Sequence, residues 1–119
     1  MKLITPRAIQ PDELAVLEAA ISRALVGSPS RVALKNLQAL SVIGICECGC
    51  RSVYFLPIGR GDTRIADGLG HTASGKRVDV MVWASGNHVS ALDIVDHERS
   101  GELPVAETVT SFERVGDVF

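Results

Sequence analysis

Apolar residues recur at helical spacing only in the first third of the chain; from Ser41 onward they fall into short runs of the kind that form strands. Leu14, Leu17, Ile21, Ala24 and Leu25 share one face of a 3.6-residue period. Pro11 fixes the φ of an opening turn, Asp12 and Glu13 follow at the positive end of the helix dipole, and Gly27 supplies a stop. An amphipathic helix beginning near Pro11 is therefore predicted. Ser28-Pro29-Ser30 then breaks the chain, and Ser30 can cap a second, shorter helix carrying Ala33, Leu37 and Leu40 on one side.

The remainder reads as β. Val42, Ile43 and Ile45 lead into a cysteine-rich bend, and Val53, Tyr54, Phe55 and Leu56 follow it, which predicts a hairpin with Cys48-Gly49 at or near its tip. A second hairpin is predicted from Val78 to Trp83 and Val89 to Val95, around Ser85-Gly86-Asn87. Between the hairpins, Gly59 to Gly75 reads as a mobile loop with a short strand around Arg64 to Ala66. Glu107 to Phe112 fits either an edge strand or a short turn of helix. The expected architecture is α+β: two N-terminal helices packed on one face of a mostly antiparallel sheet of four or five strands, with residues 1–119 forming a single domain. Val80 and Val82 alternate with Met81 and Trp83, so both faces of that strand are apolar. The face away from the helices then needs a second layer or a partner subunit, and a homodimer is the expectation.

Composition narrows the function classes. Of 119 residues, 46% are hydrophobic and 22% charged, as in ordinary globular domains. The net charge of -2 is uneven: Arg51, Arg60, Arg64, Lys76 and Arg77 fall in the centre, whereas the stretch from Asp93 onward is acidic. Aromatic content of 4% leaves few stacking platforms, so nucleic-acid binding is not expected. No uncharged apolar run approaches the ~20 residues of a membrane span, and Pro6, Arg7, Pro11, Asp12 and Glu13 interrupt the first apolar stretch before a leader could form. A cytoplasmic protein is expected.

All the cysteines lie in Cys46-Glu47-Cys48-Gly49-Cys50. Zinc takes four ligands, commonly thiolates and imidazoles, so a site would combine Cys46, Cys48 and Cys50 with His71, or with His88, His97 or Glu47. Single-residue gaps differ from the usual spacing of paired zinc ligands. A redox role would use one thiol activated by Arg51 and a second to resolve it. The third reading is packing, with small apolar thiols flanking a glycine turn.

Other motifs carry less. Gly70-His71-Thr72-Ala73-Ser74-Gly75-Lys76 has phosphate-loop spacing, but Arg77 stands where Ser or Thr would hold magnesium, which favours a polar loop between strands. Asp93, Asp96, His97 and Glu98 could gather for metal or acid–base work at a strand exit, or be a solvated strand end. There is no G-x-S-x-G elbow.

The order of a Thr-Pro segment, the run V-I-G-I-C-E-C-G-C-R-S-V from Val42 to Val53, and a strand ending S-A-L-D-I-V resembles a family of small uncharacterised bacterial proteins carrying C-x-C-G-C-x-S-V. The resemblance implies a bacterial, cytoplasmic domain and brings no activity with it. With no complete catalytic constellation, the sequence points to a non-catalytic binding or interaction module without a cofactor. The alternative is a zinc-binding or thiol-redox protein using Cys46, Cys48 and Cys50.

Overall fold

A computed structural model describes residues 2–24, 37–47, 49–55, 63–85 and 88–113. Its frame is a seven-stranded sheet built from β1 (Lys2–Ala8), β2 (Ser41–Ile45), β3 (Val53–Phe55), β4 (Thr63–His71), β5 (Arg77–Ser85), β6 (His88–Val95) and β7 (Thr110–Glu113). Their order across the sheet is β1-β2-β3-β6-β5-β4-β7. Every neighbouring pair is antiparallel.

One α-helix, α1 (Pro11–Ala24), is found among the described residues, joined by short 3-10 turns at Leu37–Ala39 and Ala106–Thr108. The expectation of two helices on four or five strands is thus corrected. Of the second helix, the part that is described, Leu37–Ala39, is a 3-10 turn, and residues 30–36 lie outside the described residues.

The sheet is wider than expected for two reasons. Lys2–Ala8 pairs with β2 as an edge strand, although its Pro6 and polar residues give no alternating apolar signal. The stretch read as a loop with a strand at Arg64 to Ala66 is instead the nine-residue β4, which pairs with β5 from Thr63↔Ala84 to His71↔Arg77. Gly68 and Gly70 lie within that strand. At Gly70 an added Cβ would come 2.7 Å from Cβ of Pro104, so the absent side chain admits the segment after β6.

That segment is stitched to His71. Val105 N–H donates to the His71 carbonyl at 2.8 Å, and the Thr108 hydroxyl both accepts from His71 N–H (2.9 Å) and donates to its carbonyl (3.1 Å). The phosphate-loop-like motif is the β4–β5 turn: Thr72 N–H donates to Lys76 O, and Gly75 (φ 86°) closes it.

α1 covers one face of the sheet. Its buried stripe of Val16, Leu17, Ala20 and Ile21 packs with Phe55, Ile65, Val78, Val80, Val82, Leu92 and Ile94. Each such large side chain contributes about 1.5–3 kcal/mol on leaving water. The helix is pinned at both ends: Arg7 holds Glu13 through two hydrogen bonds of 2.9 Å, and Arg23 Nη1 donates to the carbonyls of Ala106 and Val109 at 2.6 Å each.

Candidate functional site

The cysteine segment forms the bend between β2 and β3. Cys46 follows β2 directly and its N–H donates to the Ser52 carbonyl at 3.3 Å; Gly49 adopts φ 95°, the left-handed conformation expected for it. Cys50 is half-buried, with Sγ donating to the Asp96 carbonyl at 3.6 Å. Cys46 is engaged in a disulfide, whereas Cys50 holds a reduced thiol. Cys48 lies outside the described residues.

His71 ends β4, which β6 and β5 separate from β3. Three strand spacings amount to roughly 14 Å, so this fold does not bring His71 beside the cysteines. Among the described residues, no three His, Cys, Asp or Glu side chains form a metal-binding group.

A cleft of about 510 Å³ opens beside the bend, lined by Arg7, Glu13, Cys46, Cys50, Arg51 and Ser52 among others. Its floor holds a buried carboxylate. Glu13 is 1% exposed, yet accepts hydrogen bonds from Arg7 Nη1 and Nη2 and from Gln10 N–H, all at 2.9 Å. The last is half of a capping box, with Gln10 preceding the first helical residue. The Arg7 guanidinium is held more firmly protonated than an ordinary arginine: the Glu13 hydrogen bond raises its pKa, burial opposes this, and the charges of Glu13 and Asp12 add to it. With its oxygens facing three donors, Glu13 anchors the first turn of α1 to β1.

The proposed gathering at the β6 exit does not form. Asp96 turns inward, 3% exposed, and accepts from Glu98 N–H (3.1 Å), Ser100 N–H (2.8 Å) and the Ser100 hydroxyl (2.6 Å). These bonds, the Ser100 hydroxyl foremost, hold its carboxyl below the usual range against the opposing effect of burial. His97 and Glu98 are exposed, and Asp93 points to the other side of the sheet, where it accepts from the Ser52 hydroxyl at 2.9 Å. These four side chains therefore do not converge on a common site for acid–base work.

The face opposite α1 has the most distinctive surface chemistry. Along β5, Val78, Val80, Val82 and Ala84 are buried under the helix, while Asp79, Met81, Trp83 and Ser85 alternate with them and remain partly exposed. Cross-strand register sets these beside Arg64, Asp67 and Leu69 on β4 and Ala91, Asp93 and Val95 on β6. Tyr54 of β3 lies opposite Ala91. The Arg64 guanidinium sits 5.8 Å from the Trp83 ring centroid, 3.7 Å from the Met81 sulfur and 3.5 Å from Asp67. Burial pushes the Tyr54 phenol up, with help from the charges of Asp93 and Cys50. The two-sided apolar character of Val78 to Trp83 was readable in the sequence; the aspartates beside it belong to other strands and needed the register.

No protein-family model, curated protein or solved structure matches this chain. Among the described residues, no helix is long and apolar enough to cross a membrane.

Proposed function

We propose that this protein is a non-catalytic interaction module whose recognition surface is the sheet face opposite α1. One observation carries the reading: Tyr54, Met81 and Trp83 stay partly exposed together on neighbouring antiparallel strands, a use of large apolar side chains that favours a partner. Trp83 is the single tryptophan, so its fluorescence reports directly on that face. Substituting Trp83→Lys should abolish partner binding and leave the fold intact. Unchanged binding by this variant, with native circular dichroism, would remove the reading.

A second reading is thiol chemistry in the cleft, supported by the presence of a disulfide at Cys46 and a thiol at Cys50 on the same walls. The zinc version of that reading requires Cys46 as a thiolate. Elemental analysis of protein purified under reducing conditions tests it, and less than stoichiometric zinc sinks it.

A further inference from the structure

We infer that the sheet face opposite α1 recognises a cationic protein segment, and that Arg64 occupies the place of an incoming guanidinium in the unbound protein. This rests on the interaction-module reading above and names the chemistry of the partner.

Three carboxylates stand among the apolar side chains of this face. Asp67, Met81 and Asp93 form one cross-strand row, with Asp79 in the next row toward Val95. Trp83 and Tyr54 bound the patch on its other side. An aromatic ring beside carboxylates is the usual surroundings of an arginine or lysine head group, the ring face supplying quadrupole attraction and the acid a hydrogen-bonded charge.

The molecule already demonstrates this use. Arg64 stacks by Trp83 and reaches Asp67, but at 3.5 Å, with both side chains about one-third exposed. Arg77 approaches Asp79 at only 3.7 Å and is itself 63% exposed. Such exposed, loosely held pairs are worth little and exchange readily. Asp93 is met by a neutral hydroxyl, Ser52, and its charge is felt by Tyr54.

The same pattern argues against a second copy of the chain on this face. Two apposed faces would bring Asp67, Asp79 and Asp93 of each copy against only Arg64 and Arg77 of each, an excess of like charge. Nucleic acid is opposed by the same charges.

The test titrates the full chain with four matched peptides of glycine and serine, bearing spaced arginines, lysines, glutamates or leucines, read by Trp83 fluorescence and calorimetry. The arginine peptide should bind best, weaken with salt, and lose at least tenfold in affinity in the Asp67→Asn/Asp93→Asn variant at unchanged melting temperature. Arg64→Ala, which vacates the ring and frees Asp67, should tighten binding by about two- to fivefold. Equal binding of arginine and glutamate peptides, or weaker binding by Arg64→Ala, overturns the cationic partner. Binding of the leucine peptide alone, or self-association in sedimentation that buries Trp83, overturns it too while leaving the interaction module standing. Silence of Trp83 in every arm removes both.

Discussion

Arg7 clasps Glu13 through two parallel hydrogen bonds of 2.9 Å, tying the edge strand β1 to the first turn of α1 across six positions of sequence. Only one partner is shielded: the Glu13 side chain is 1% exposed and that of Arg7 33%. Removing the arginine therefore costs more than removing the acid, because it strands a buried carboxylate. Arg7→Ala should destabilise by about 3 kcal/mol and Glu13→Ala by about 2 kcal/mol, the freed guanidinium reaching water. Replacing both by methionine should cost less than the sum of the single losses. Urea unfolding of the single and double variants measures this, and simple additivity would contradict the coupling.

Asp96 sets a pH dependence. Its folded-state pKa lies below the ordinary 3.8, chiefly through the Ser100 hydroxyl, so the folded protein holds this proton more weakly than the unfolded chain. The contribution to stability is present above the ordinary value and is lost as pH falls through the lower folded value. Asp96→Asn should destabilise clearly at pH 7 and progressively less in acid. A constant penalty from neutral pH to pH 2 would show that the carboxylate charge is not what holds residues 96–100.

Gly70 reports on close packing. A methyl there would lie 2.7 Å from Pro104 Cβ and 3.2 Å from Val109 Cγ2, in a strand held on both sides by β5 and β7. Gly70→Ala should cost about 1–3 kcal/mol by overpacking. At Gly75 the neighbouring space is empty, and alanine there should cost about 1–2 kcal/mol through its positive φ alone. Amide exchange should separate the two, since only Gly70→Ala should loosen residues 104–109.

Tyr54 is the single tyrosine, so ultraviolet titration follows it without ambiguity. Its phenol should ionise above the ordinary 10.0, and Asp93→Asn should recover part of the shift, leaving the larger share due to burial. No change on that substitution would place Asp93 too far from the ring to influence a ligand there.

How much of this was legible beforehand follows from the range over which each signal acts. The start of α1 at Pro11, the strands Val42–Ile45 and Val78–Trp83 and the left-handed Gly49 rest on neighbouring residues alone, and local periodicity or φ preference found them. β4 was hidden because Gly68 and Gly70 erase alternation; glycine is needed there for a contact 34 positions away, at Pro104. β1 was hidden by Pro6 and its polar exposure, both natural to an edge. The cysteine bend was visible as a cluster. What faces it, Glu13 with Arg7 on one side and Asp96 on another, comes from distant segments.

The β5–β6 hairpin has consequences for how the chain assembles. Its strands are close in sequence yet sit in the middle of the sheet, while β3 and β4, successive along the chain, lie on opposite flanks of it. A quickly closed ribbon can thus act as the template on which both halves grow outward, leaving the border strands β1 and β7 to dock late and to fray early.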